Sequence, residues 1–411
     1  MENDRLRTLC HRNDIDPDTI GNERQDTCPA ACATNMDDDE EFLVDAGGDE
    51  RYACRDGRVL REACGSGNVL CVDFLQLFND IDEEEFVLCG GVDKTLRLYA
   101  LHSGALLYEL QLDAPLLAIH CSGPLVACSM MDGSHAVVDL HVRSCSELVD
   151  GFSPVVVQSQ RDHTKYAVSI KWSPCGLYLA TASHDKTVVL YKREGDSIQK
   201  LHTLNLKDIP EDVEFCLLPA EFTTGSGSAT DQSGVEISGS PQRSAVAVGS
   251  GPQLHLIVPT RGAAHLLYIN CHTMQHKKVS LNEQAWDSHV SFNVLHLSLS
   301  PSGKLLLVAT DKDFHIILKT GTNKRLSLLA GHMCNEYGKP KTCWDVTGKY
   351  VYSNNQADHN LLVYAVNTGK IVATLTGHRG QIRDIRSHAT NRTVLTASYD
   401  HTVKEWVAAE L

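Results

Sequence analysis

Histidine, hydroxyl, aspartate and aromatic side chains recur at matched spacing in this 411-residue chain. One set is His163, Thr181, Asp185 and Tyr191; the other is His378, Thr396, Asp400 and Trp406. In both, the histidine stands 22 positions before the aspartate. An imidazole between a carboxylate and a hydroxyl is the arrangement that activates a nucleophile for acyl transfer. Two features argue against that chemistry here. The same set occurs twice, and no Gly-x-Ser-x-Gly turn is present to expose a serine. No residue is therefore assigned a catalytic role, and the chain is read as not an enzyme.

Other reaction signatures are missing too. There is no Gly-x-x-x-x-Gly-Lys-Ser/Thr loop for phosphates, no His-Glu-x-x-His, and no strand-to-helix Gly-x-Gly-x-x-Gly. Cys10-His11 with Cys28 and Cys32 offers thiolate and imidazole donors, but the spacing is loose and the segment polar, so no metal or cofactor is assigned. His135, His255 and His315 fall on alternating apolar runs and read as hydrogen-bonded core residues rather than ligands. No cluster of carboxylates, histidines or metal ligands is visible that would converge on a common pocket.

Charge and cysteine use narrow the setting. Residues 1–50 hold fifteen Asp and Glu against four Arg, so most of the net charge of -15 belongs to this acidic segment, expected to be a disordered tail. The rest of the chain carries no basic stripe, which excludes direct contact with a nucleic-acid backbone. Fifteen cysteines, an odd number, are scattered among apolar neighbours, as at Cys71, Cys89, Cys128 and Cys216. Buried thiols in a reducing compartment are expected rather than a disulfide framework. No secretory leader follows Met1, and no apolar run is long enough to insert in a membrane. The expected location is intracellular, cytoplasmic or nuclear.

The elements that would carry the polar sets are short strands. Leu88–Tyr99, Leu179–Tyr191 and Leu395–Trp406 align as an apolar strand, a turn with aspartate, and an alternating strand ending in an aromatic. That is a hairpin pattern. Gly331-His332, Gly377-His378 and Ser173-Pro174 mark the same unit elsewhere. The repeat resembles the WD40 family, in which each unit supplies the four strands of a propeller blade.

The resemblance covers residues 58–406 and implies an all-β, seven-bladed WD40 β-propeller over 58–411. The inner three strands of the blades would lie near 68–99, 115–140, 163–191, 212–270, 287–319, 332–364 and 378–406. Residues 222–252, rich in Gly, Ser and Thr, would be a flexible insert in blade four. Arg58–Ala63 would be the outer strand that completes the last blade. Phe42–Asp49 imitates a further strand and turn. By resemblance, His163 and His378 bridge the turn aspartate and the strand hydroxyl, which in turn meets the aromatic. Tyr191 offers a donor whose reach differs from that of tryptophan.

The family's implied function is as a protein-binding scaffold or adaptor in a multiprotein complex, with other proteins as partners. Loops on one face of a rigid ring suit recognition. Lys165, Tyr166, Tyr337, Arg379 and Gln381 are the candidate contacts. Two alternatives remain open: an enzyme or small-ligand binder using the central funnel, and a substrate receptor of a cullin-type ubiquitin ligase. The latter usually carries a Trp-Asp-x-Arg box, from which Tyr99-Ala100-Leu101-His102 and Trp406-Val407-Ala408-Ala409 depart.

Overall fold

The computed structural model describes residues 53–60, 67–75, 85–140, 154–195, 197–223, 235–239, 251–282, 290–334 and 338–409. The acidic segment 1–50, Cys10, His11, Cys28, Cys32, Phe42–Asp49 and Tyr337 lie outside them. Among the described residues, no helix is long and apolar enough to cross a membrane.

Hairpins dominate because their turns are built in. In blades one, two, three and seven the turn aspartate accepts the backbone N–H two residues on: Asp93 from Thr95, Asp132 from Ser134, Asp185 from Thr187 and Asp400 from Thr402, at 3.0–3.3 Å. The residue between takes a left-handed conformation, as at Lys186 (φ 72°) and His401 (φ 66°). An aspartate side chain that mimics a backbone acceptor favours this tight reversal. The turns at the opposite strand ends use a different device. Ser173 Oγ accepts the Tyr178 N–H at 3.0 Å while Gly176 holds φ 67°, which glycine reaches without a Cβ clash.

These hairpins assemble into seven antiparallel sheets, six of four strands and one of five. The first strands of the sheets are Val69–Leu75, Leu116–Ser122, Ala167–Trp172, Glu214–Leu218, Val294–Leu299, Thr342–Trp344 and Ile382–Ser387. Each touches the first strand of the next sheet, and the seventh touches the first, so the sheets close into a seven-bladed propeller around a central axis.

Closure uses the two ends of the described chain. Ala53–Leu60 pairs antiparallel with Val403–Ala409 as the outer strand of blade seven, from Ala53↔Ala409 to Leu60↔Val403. The strand begins upstream of the expected Arg58–Ala63. The insert leaves blade four between Glu214–Leu218 and Gln253–Pro259, and within it Val235–Gly239 is a strand that pairs with Ser197–Leu206 as a fifth strand on blade three. Val-Glu-Ile-Ser alternates as a strand should, and the ten-residue outer strand of blade three offers it an open edge.

The core lies between blades. Leu88 and Leu98 of blade one pack on Leu116, Ile119 and Val126 of blade two, all buried. Cys128 belongs to this layer and Cys216 to the one between blades four and five, both as buried thiols without disulfides. Burial pushes the Cys128 thiol up to about 12, so it packs as a small apolar group. Gly90 sits at a close approach of two blades, since a Cβ there would lie 2.7 Å from Leu116 Cδ2. Gly90→Val is expected to lower unfolding stability by about 1–3 kcal/mol through overpacking, read as a denaturant midpoint shift. An unchanged midpoint would show that blades one and two can move apart freely.

Candidate functional site

The two polar sets assemble differently. In blade seven, His378 Nδ1 lies 2.8 Å from Asp400 Oδ2 and Nε2 lies 2.7 Å from Thr396 Oγ1, which also accepts the Trp406 indole N–H at 2.8 Å. With the proton on Nδ1, tryptophan, threonine, histidine and aspartate form one directed chain of donors. In blade three, His163 Nε2 meets Thr181 at 2.8 Å, while Nδ1 faces Thr187 Oγ1 at 2.8 Å and Asp185 Oδ2 at 3.3 Å. Tyr191 spends its single hydroxyl proton on Asp162 at 2.8 Å. With that proton committed, Tyr191 meets Thr181 as an acceptor rather than as the donor that Trp406 is to Thr396. His163, Thr181, His378 and Thr396 are all buried, so each set ties strands of its own blade together as a strut.

The other histidines differ from the sequence reading in one case. His315 Nε2 bonds Ser353 Oγ at 2.8 Å, and its ring stacks on His332, which reaches Tyr364. His255 bonds the Gln253 carbonyl through Nδ1. His135, however, has no hydrogen bond on either ring nitrogen. Burial brings its pKa down to about 4, so it packs as a neutral ring against Tyr191.

A second site was not foreseen. The inner strands bring Asp73, His120, Lys171, Asp212, His296, Lys341, Asp384 and Arg386 around the axis, which overturns the expectation that no charged cluster converges there. These residues come from all seven blades, and their sequence separations hide the convergence. Asp384 accepts the Val72 N–H (3.2 Å), Asp73 that of Cys121 (2.8 Å), His120 that of Trp172 (3.2 Å) and Asp212 that of Leu297 (2.8 Å). The remaining junctions are spanned by Ser169 to Asp212, His296 to Thr342 and Asn354 to the Ile382 carbonyl. Arg386 reaches the Ile119 carbonyl at 3.2 Å and lies within 3.9 Å of Asp73 and Asp384. Burial opposes ionisation of Asp212, but Lys171, His296 and Lys341 hold its carboxyl well below the usual range. Burial, with the cation Lys341 second, drives His296 well below its usual pKa.

The third locus is the face on which the aspartate turns meet the segments leading into the inner strands. One residue per blade, Val92, Met131, His184, Arg261, Asp311, Gln356 and Tyr399, donates its backbone N–H to such a segment at 2.8–3.2 Å. Lys165 and Arg379 are exposed on this face, whereas Tyr166 and Gln381 are half-buried. Tyr166 OH lies 2.5 Å from His184 Nδ1. The Arg379 N–H and Gln381 carbonyl are used in holding the blade-seven turn.

Missed by the sequence reading are His184, Glu211, Arg261, Lys339 and Arg383 on the same face. Arg261 Nε is 2.6 Å from Glu211 Oε1, and Lys339 of blade six comes within 3.9 Å of Glu211 Oε2 on blade four. Burial first, then Lys339, Arg261 and Lys165, brings His184 down to about 4. The position just before the turn aspartate, occupied by His184 in blade three and Tyr399 in blade seven, was the available signal.

Asp400 anchors the strut through four accepted bonds, from His378, Thr402 (twice) and the Arg379 N–H. Burial opposes its ionisation, yet these bonds hold the carboxyl well below its usual range. Asp400→Ala is expected to cost about 1–3 kcal/mol of stability near neutral pH. Because the folded pKa is depressed, that contribution is complete above the unfolded value of about 4 and fades as pH falls further. Denaturation of both proteins from pH 7 to pH 3 should show the gap closing on the acid side; a gap that widens there would reject the assignment.

The repeat described as "WD domain, G-beta repeat" matches residues 154–192 and 369–406, the blades with the two polar sets. The chain is 37% identical over 67 residues to WD repeat-containing protein 37 of Xenopus tropicalis, covering 15% of this chain and 14% of that protein. It is 34% identical over 82 residues to the Homo sapiens protein of that name, covering 19% and 17%. Echinoderm microtubule-associated protein-like 3 of Homo sapiens is 31% identical over 117 residues, covering 28% and 12%. The chain thus aligns with less than a fifth of each relative's length. Seven closed blades make this chain a seven-bladed β-propeller, and its third and seventh blades are similar to the WD40 repeat.

Proposed function

We propose that this chain is a protein-interaction scaffold or adaptor within an intracellular multiprotein complex, and that partners dock on the face bearing the aspartate turns. The carrying observation is the convergence of one turn from every blade on that face, around a belt of interlocked inner strands. A rigid frame presenting variable side chains binds with little ordering cost. WD40 propellers generally mediate contacts between proteins, which supports the same reading. Lys165, Tyr166, Arg379 and Gln381 are the proposed contacts, with Tyr337 a further candidate. Aromatic and arginine anchors near the centre of such a face would carry most of the affinity.

The test is affinity capture of the full chain from its native cells beside a Tyr166→Ala, Arg379→Glu double variant. Lys278→Glu, on an outer strand, serves as the control. Stoichiometric protein partners retained by the control and lost by the double variant are the expected outcome. Recovery of a lone monomer under every condition would reject the scaffold and favour a small ligand held by the inner-strand charges.

A further inference from the structure

We propose that the mouth of the central channel, between blades three, four, six and seven, is an anion receptor that takes the carboxylate or phosphate oxygens of an acidic peptide segment. This rests on the docking face proposed above and names the chemistry of its partner.

Glu211, with its side chain fully buried, fixes the Arg261 guanidinium at 2.6 Å and faces the Lys339 ammonium at 3.9 Å. Lys339 reaches this point from blade six, past blade five, so the group stands at the opening itself. One carboxylate thus positions two cations without neutralising both. Beside it, burial and Glu211 raise the Tyr166 phenol above its usual pKa, and its hydroxyl lies 2.5 Å from His184 Nδ1. His184 Nε2 is buried and lies 3.9 Å from Glu211 Oε2. Arg383 lies over the Tyr399 ring at 5.2 Å, and its buried Nε–H is without an acceptor. Burial, then Lys341, Arg383 and Arg261, holds the Lys339 ammonium down to about 8 against the pull of Glu211. An excess of positive charge and the orphan Arg383 N–H call for oxygen acceptors. A cationic or apolar occupant would leave them unpaired.

Two observations select a peptide over a nucleic acid. Glu211 Oε2 is a buried acceptor without a hydrogen bond, which suits a main-chain N–H, a donor that a sugar-phosphate backbone lacks. Exposed Met131, Met333 and Val92 lie on the same face and offer apolar contacts.

The experiment is a fluorescence-anisotropy titration of the full-length chain at low salt with short labelled peptides identical except for phosphoserine, glutamate or serine at the centre. The expected result is binding of an acidic peptide about tenfold or more tighter than the serine peptide, weakened by a similar factor in Lys339→Glu and in Arg383→Glu. Lys339→Gln serves if the reversed charge lowers the melting temperature. Displacement by inorganic phosphate with a phosphoserine preference assigns the phosphoryl group; equal binding of the glutamate peptide without displacement assigns carboxylates. Tighter binding of a single-stranded oligonucleotide overturns the peptide assignment. Acidic-peptide binding unaffected by both substitutions also overturns the proposal. So does its absence both in the natural chain and in a full chain carrying amides at Asp37, Asp38, Asp39, Glu40 and Glu41, which removes an internal competitor. Cellular partners still captured by Lys339→Glu and Arg383→Glu would sink the anion receptor and leave the scaffold standing.

Discussion

The inner strand of each blade is hydrogen-bonded to its neighbour on one edge only, while its other edge faces the axis with backbone N–H groups that water cannot freely reach. A buried N–H without an acceptor costs about as much as a lost hydrogen bond, so this edge needs side-chain acceptors. Some come from the same strand, as Asp73 for Phe74 and Glu214 for Phe215. Four come from the preceding blade: Asp384 for Val72, Asp73 for Cys121, His120 for Trp172 and Asp212 for Leu297. Because each of these four crosses a junction, a blade that loses its neighbour also loses part of its own edge pairing. Ring closure and strand stability are one property.

That arrangement explains the unusual concentration of charge at the axis. Acceptors strong enough to cap an edge are carboxylates, and buried carboxylates require cations. Lys171 and Arg386 supply them, with Lys171 bonded to Glu214 at 2.5 Å and Arg386 also bonded to main-chain carbonyls. Buried ion pairs of this kind add little net stability, but removing one member leaves a stranded charge. The belt therefore sets which blade follows which more than it deepens the folding well. The apolar layers between blades, such as Leu88 and Leu98 on Leu116 and Ile119, carry the main driving force.

Features held within one repeat were legible from the residues; those made between repeats were not. The aspartate turns, the His378–Asp400–Thr396–Trp406 chain and the buried setting of Cys128 each follow from short-range spacing. The charges of the axis do not, since Arg386 and Asp73 lie in different blades at opposite ends of the sequence, and only the closed ring makes them neighbours. The fifth strand of blade three escaped for a related reason. Val235–Gly239 lies inside a Gly- and Ser-rich stretch, and nothing local reveals that it turns back to an edge laid down earlier. At the face, Tyr166 was recognised but its partner His184 was not, because the hydrogen bond depends on two loops meeting.

The pairing of Ala53–Leu60 with Val403–Ala409 also sets a clock on biogenesis. A ribosome elongating at about 5–20 residues per second needs roughly 20–70 s to travel from the first of these segments to the second. During that interval six blades can stack while the early segment waits without its partner strand, open to mispairing. The last blade acts as a latch that engages only once Val403–Ala409 has been made.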